Sequence, residues 1–377
     1  MYRYPLLYDN PLINDLPKLL EKTFPVPQRF RNKLPHDIAD LSKLLTNQRG
    51  QRSLSYLARP GYLSAYLHYF LPWNICRLCI VLPDFNLNLE NGNTITDLGC
   101  GPLTFACALW ISRPDLRNIS LEINCIDRSG PALEAGKKLF EALSRGESPW
   151  KFNFKKKEID FRKTNLNISI NKKSSFVCAV NVFNEFYENL PHNNTEALRQ
   201  TAEKAAKITH NEAGKDASIF IMEPGVPRSG HFISMLRGEF LKLKRQIVSP
   251  CTHFADCPLT ARRKEKWCHF AFDTKNAPKE LLKLSDAAKM PKERLVFSYL
   301  LTGPKKEESS LLRIISDSFP VGEAYGRYGC SSHGLVLLKG SKSSINNAVS
   351  GSLAGAKINL NERDEKSGAY TGELNES

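Results

Sequence analysis

Three cysteines fall within eighteen residues of this 377-residue chain: Cys251 and Cys257, each beside a proline, and Cys268 in Trp267-Cys268-His269-Phe270. Thiolates are soft ligands, and three on one segment call for a fourth donor. The remaining downstream cysteine is Cys330, in Tyr328-Gly329-Cys330-Ser331-Ser332-His333-Gly334. Four thiolates suit either zinc or an iron–sulfur cluster. The intervals of five and ten residues do not match the paired CxxC ligands of common zinc ribbons. His253, His269 and His333 each stand within three residues of one of these cysteines, so a mixed Cys/His zinc site stays open. Pro250, Pro258 and their charged neighbours make a poor core segment, which argues against unrelated buried thiols.

A second constellation is Thr94-Ile95-Thr96-Asp97-Leu98-Gly99-Cys100-Gly101-Pro102-Leu103-Thr104. It follows a predicted strand and opens a predicted helix. Glycines there let the chain turn sharply and let a ligand approach where a Cβ would clash. The spacing is D-x-G-x-G, which differs from the G-x-G-x-x-G of dinucleotide folds. Asp127 lies 28 residues beyond Gly99, an interval that accommodates one helix and one strand. Asp97 could cap the helix or touch the ligand; Cys100 reads as a small space-filler.

This arrangement resembles the first motif of class I S-adenosylmethionine-dependent methyltransferases. The resemblance implies that the Gly99–Gly101 loop cradles the methionine part of the cofactor and that Asp127 bonds the ribose hydroxyls. It also puts Asp160 near the adenine. Asn184 and Glu185, after Val180-Asn181-Val182-Phe183, sit where ligand and substrate meet in doubly wound folds, and they read equally well as a helix cap. No Asn-Pro-Pro-Tyr motif follows that strand, and no cysteine is placed as a nucleophile. Phe220-Ile221-Met222-Glu223-Pro224-Gly225 reads as a strand-end turn on the same edge.

Together these features resemble one family, the methyltransferase-like proteins associated with the mitochondrial small ribosomal subunit, and their bacterial relatives. The likeness covers roughly residues 55–340. It rests on the Tyr62–Phe70 helix, Asp97–Gly101, Asn184-Glu185, Glu223-Pro224-Gly225, Pro250-Cys251 through Cys257-Pro258, Trp267–Phe270, and Cys330 with Gly334. It implies that Cys251, Cys257, Cys268 and Cys330 are ligands of a [4Fe-4S] cluster, with zinc as the alternative. Two departures stand out. The gap before Cys268 is long and carries Arg262-Arg263-Lys264, and Cys251-Thr252-His253 stands where the family often has Cys-Pro-His. The resemblance implies an enzyme that methylates small-subunit ribosomal RNA. The alternative is a non-catalytic assembly or translation factor that keeps the fold.

These residues need elements to hold them. Residues 1–85 show the three-to-four spacing of amphipathic helices, with a run over Tyr62–Phe70 that ends before Pro72. Cys76 and Cys79 lie in this apolar region and read as two buried thiols. From 94 onward, short apolar runs alternate with helical ones, as in an α/β fold with a parallel sheet. Strands are predicted at Thr94–Asp97, Leu121–Asp127, Phe176–Asn181 and Ser218–Met222, with helices at Leu103–Ile111, Ala132–Ser144 and Glu196–Ile208. The expected division is an N-terminal helical region over 1–85, a Rossmann-like core over 86–245, and a cysteine-rich segment with closing strands over 246–340. The Ser-, Asn- and Glu-rich stretch 341–377 reads as a flexible tail.

Net charge is +14, from 53 Lys and Arg against 39 Asp and Glu, which favours an anionic partner such as RNA. Basic clusters occur at Lys151 with Lys155–Lys157, at Lys242-Lys244-Arg245 and at Arg262–Lys264. No run reaches the roughly eighteen apolar residues of a membrane helix, and the N-terminus carries no apolar signal core. A cytoplasmic monomer with reduced cysteines is the expectation.

Overall fold

The computed structural model describes residues 7–46, 56–159, 173–188, 190–191, 194–259, 266–304 and 308–375. Asp160 and Arg262-Arg263-Lys264 lie outside these residues. Two compact units emerge, one from 3–189 with 273–295, the other mainly from 190–272 with 296–377.

The first unit opens with helices α1 (Pro11–Thr23), α2 (Gln28–Arg31), α3 (Leu34–Leu45), α4 (Pro60–Ala65) and α5 (Leu71–Val81). Asn10 caps α1 by accepting the Leu12 N–H at 3.0 Å, and Pro11 starts the helix where no N–H is needed. Between α4 and α5 lies a π-helical turn, Tyr66–Phe70, whose Tyr66 carbonyl accepts the Leu71 N–H. The helix was expected to end before Pro72. Instead the wider turn carries the chain through it, because proline's missing donor falls in the first turn of α5. The helical run Pro60–Asp84 is therefore long and apolar enough to cross a membrane, but 72% of its apolar window is buried inside the fold.

An α/β layer follows: β1 (Asn93–Leu98), α6 (Thr104–Ser112), β2 (Leu121–Asp127), α7 (Gly130–Ser144), β3 (Lys151–Lys156) and β4 (Ser174–Val180), then the short α8 (Asn184–Tyr187). All four strands are parallel in the order β3-β2-β1-β4. The chain steps outward from β1 to β3 and returns to the far side of β1, which creates a switch point between β1 and β4. β1 and β2 are buried along nearly their whole length, as expected of parallel strands covered on both faces. Ser129 caps α7 by accepting the Ala132 N–H at 3.3 Å.

The second unit contains α9 (Thr195–Glu212), β5 (Ala213–Pro224), α10 (Pro227–Lys242), β6 (Gln246–Ser249) and β7 (Phe270–Asp273). After α11 (Lys279–Ala287), which belongs to the first unit, come β8 (Arg294–Gly303), β9 (Leu312–Val321), β10 (Ala324–Ser331), β11 (Gly334–Gly340), α12 (Lys342–Asn347), β12 (Leu353–Ala354), β13 (Ala356–Arg363) and β14 (Tyr370–Leu374). β8 is antiparallel to β5 and β6 and also pairs with β7. A further sheet runs β12-β9-β10-β11-β14-β13.

The stretch read as a flexible tail is thus folded. Its helix and strands pack Ile345, Ala348, Ile358 and Tyr370 against Leu312, Ile314, Val336 and Leu338. β13 lies at the sheet edge with most side chains in solvent, and that polar face is what made the composition look disordered.

Candidate functional site

Asp97, Gly99, Gly101 and Asp127 meet at the carboxyl ends of β1 and β2. Gly99 and Gly101 take φ values of +66° and +52°, in the left-handed region that glycine reaches without strain. They differ in surroundings. A Cβ on Gly99 would stand 2.5 Å from Val182 Cγ2, whereas one on Gly101 would face open space, with Tyr66 Oη nearest at 4.0 Å. Gly136 of α7 completes the packing, since a Cβ there would reach the Pro102 carbonyl carbon at 2.6 Å. The helix can therefore press against the loop.

The Asp127 carboxylate accepts the Gly101 N–H at 2.9 Å on one oxygen and the Ser129 N–H at 2.8 Å on the other. Burial raises its pKa, partly countered by those two bonds. Asp97 is 1% exposed, and its Oδ2 has no hydrogen-bond partner among the described residues. Burial pushes its pKa up to about 8. A carboxyl that keeps its proton longer when folded makes stability fall as pH rises from about 4 to about 8, then level off. Asp97→Asn is expected to flatten that fall, at most about 1.4 kcal/mol per pH unit. Urea unfolding of both proteins at pH 5 and pH 8 checks it; parallel pH slopes would refute it.

Two partners were not legible in the sequence. Tyr66, read there as a core aromatic, places its hydroxyl near the Asn74 and Thr104 side chains. Burial, then the Asp127 and Glu185 charges, push its pKa up to about 12. It reaches this position from the π-helical turn, a feature that often marks functional sites. Arg128 forms an ion pair with Glu185 at 3.1 Å, joining the loop after β2 to the turn after β4. Asn184 is buried at the start of α8.

Cys251, Cys257, Cys268 and Cys330 also come together, all within the second unit. Burial raises the pKa of Cys257, Cys268 and Cys330, and neighbouring thiols of the set raise each further. Cys330 Sγ lies 3.5 Å from His253 Nε2. The thiols converge without closing a coordination shell: among the described residues no set of three or more His, Cys, Asp or Glu side chains stands at ligating positions.

Arg237 of α10 organises this region. Its Nη2 donates to the carbonyls of His253 at 2.9 Å and Ala255 at 2.8 Å, and its Nε to Cys251 Sγ at 3.3 Å. Burial opposes its charge, yet Cys251, Cys257 and Cys330 hold its pKa above the ordinary value. The Glu223-Pro224-Gly225 turn has a structural part here. The Gly225 carbonyl accepts the Trp267 indole N–H at 3.0 Å. Gly230 lets the 267–268 segment lie close, as its Cβ would meet Trp267 Cδ1 at 2.6 Å. Ser298 Oγ fixes the Cys268 carbonyl at 2.7 Å.

Fold and site define an α/β protein whose glycine loop and paired acidic residue lie at the switch point of a parallel sheet, with a separate thiol constellation held by a buried arginine. The chain belongs to the family described as mitochondrial small ribosomal subunit Rsm22, whose model matches residues 63–323. No curated protein matches it. Among solved structures, it is similar to a candidate class I S-adenosylmethionine-dependent methyltransferase from Listeria monocytogenes, at 9% identity and a TM-score of 0.36, over 80% of this chain and 90% of that one. Magnesium protoporphyrin IX methyltransferase from Synechocystis PCC 6803 with bound S-adenosylmethionine follows at 14% identity and a TM-score of 0.33, over 63% and 84%.

Proposed function

We propose that the chain binds S-adenosylmethionine at the Gly99–Gly101 loop and methylates RNA of the small ribosomal subunit. The observation that carries this reading is the open space before Gly101, bordered by Asp127 and Tyr66 at the carboxyl ends of β1 and β2. In the bound state the cofactor supplies an electrophilic methyl group. Gly99 and Gly101 would lie beneath its methionine part, with Asp127 toward the ribose. Asp97 Oδ2, buried and without a partner among the described residues, fits a site that a polar ligand completes. Asp160, the expected adenine neighbour, stays in this proposal by its place after β3. The chain would contribute mainly by holding methyl group and acceptor in line.

Calorimetric titration with S-adenosylmethionine tests the reading. Binding is expected, with a loss of about tenfold or more in Asp127→Ala, where roughly 1.5–3 kcal/mol of charge-assisted hydrogen bonding goes. No heat and no protection from unfolding would sink it. Methylation of isolated small-subunit RNA then tests the acceptor.

A second reading, a non-catalytic factor docked on the small subunit, is favoured by the Arg128–Glu185 pair. It engages the carboxylate of Glu185, one of the two candidate substrate-side residues. In either case Cys251, Cys257, Cys268 and Cys330 are proposed to hold a [4Fe-4S] cluster, with zinc as the alternative. The all-sulfur donor set and the positive Arg237 beside it fit an anionic thiolate cluster. Iron and sulfide analysis of anaerobically purified protein distinguishes the two: zinc without iron removes the cluster.

A further inference from the structure

The edge strand β3 carries Lys151-Phe152-Asn153-Phe154-Lys155-Lys156, followed by Lys157. Among the described residues it pairs on one side only, with β2. Strand alternation sets Phe152, Phe154 and Lys156 on one face, and Lys151, Asn153 and Lys155 on the other. The Phe152 and Phe154 rings lie within 13° of parallel, with centroids 6.0 Å apart. The inner end of this pair is anchored. Phe140 meets Phe152 at 4.7 Å and Trp150 at 5.5 Å, and Trp110 meets Trp150 at 5.2 Å. The row therefore runs from the core to the surface and ends on Phe154, which is 38% exposed.

Lysines on an edge strand have an ordinary use, since they discourage pairing with a foreign strand. That use speaks against an added protein strand here, and it does not call for an exposed phenylalanine held at a fixed ring angle. A preset aromatic face among cations is how single-stranded nucleic acid is held, with bases stacked on rings and phosphates near lysines. Duplex RNA offers no open base face to such a ring. The strip also leads somewhere. Lys156 is in register with Asp127, and the Lys157 N–H donates to the Asp127 carbonyl at 2.9 Å. Its end therefore borders the edge where the candidate cofactor loop lies.

We propose that β3 is a docking strip for single-stranded RNA, with an unpaired base stacked on Phe154 and a neighbouring phosphate on Lys156, which shares its face. The proposal rests on the association with small-subunit RNA and adds where the strand is held.

Fluorescence anisotropy of a labelled oligouridylate with the full chain tests it, with an RNA duplex of equal length as control. Phe154→Ala is expected to weaken oligouridylate binding about tenfold, the usual loss of one stacked base, and to leave duplex binding unchanged. Its melting temperature checks that folding is intact. Lys156→Gln should lower the slope of log affinity against log salt by about 0.7, the share of one phosphate contact. An unchanged affinity in Phe154→Ala, an equal loss on the duplex, or no binding by the unmodified chain would overturn the strip. So would binding of phosphatidylserine vesicles in place of the oligonucleotide. S-adenosylmethionine binding is read separately: its absence leaves the strip standing, and loss of the strip leaves the cofactor reading standing.

Discussion

Arg237→Met is expected to lower stability by about 3 kcal/mol or more, the largest effect foreseen for a single side chain. Arg237 is 3% exposed, and its guanidinium serves three acceptors on the loop that carries Cys251 and Cys257. Methionine fills much of the volume and supplies no donor. The His253 carbonyl would then lose a charged partner in a place water reaches poorly, and the Ala255 carbonyl would lose one nearer the surface. Arg237→Lys separates charge from geometry. A lysine keeps the positive charge beside the thiols but cannot span the same acceptors with a rigid fork. It should recover less than half of the loss. Urea unfolding of the three proteins measures this; a cost under about 1 kcal/mol for Arg237→Met would mean that the loop is ordered by other contacts.

The second large effect separates two glycines that look alike on paper. Gly99→Ala meets both a left-handed backbone and the Val182 side chain at 2.5 Å. The backbone costs about 1–2 kcal/mol and overpacking about 1–3 kcal/mol more. Gly101→Ala meets only the backbone strain, because the space in front of it is open. Gly99→Ala is thus expected to destabilise the fold by several kcal/mol, and Val182→Ala in the same chain should return the packing share. Gly101→Ala should lose less stability but most of its affinity for S-adenosylmethionine, since its methyl group enters the proposed cradle. Paired melting and calorimetric titrations read both. Equal losses of stability and binding in the two variants would contradict the distinction.

Much of the site was legible because it is local. The D-x-G-x-G loop, the helix-and-strand interval to Asp127 and the spacing of Cys251, Cys257 and Cys268 are properties of neighbouring residues. Strand predictions at 94–97 and 121–127 fall within β1 and on β2 for a similar reason, as continuous apolar runs mark strands buried on both faces. Cys330 stands 62 positions beyond Cys268, so no spacing marks it; it entered as the remaining downstream cysteine, and the family resemblance then included it. The expected tail shows where composition misleads. A sheet edge with one face in solvent needs few apolar residues, so β13 and β14 read as polar chain although their inner positions complete a core.

By itself, then, the sequence determined the α/β class, the glycine loop with its acidic partner and the cysteine ligand candidates. Each is a short-range pattern that local sterics and soft-ligand chemistry make recognisable. Only the tertiary structure decided that Tyr66 borders the loop, that Arg128 pairs with Glu185, that Arg237 gathers the thiol segment and that Gly225 takes the Trp267 indole. It also put Phe154 at the outer end of a buried aromatic row. These contacts join residues far apart in the chain or set on different elements. No periodicity announces them, since their geometry exists only once the elements have packed.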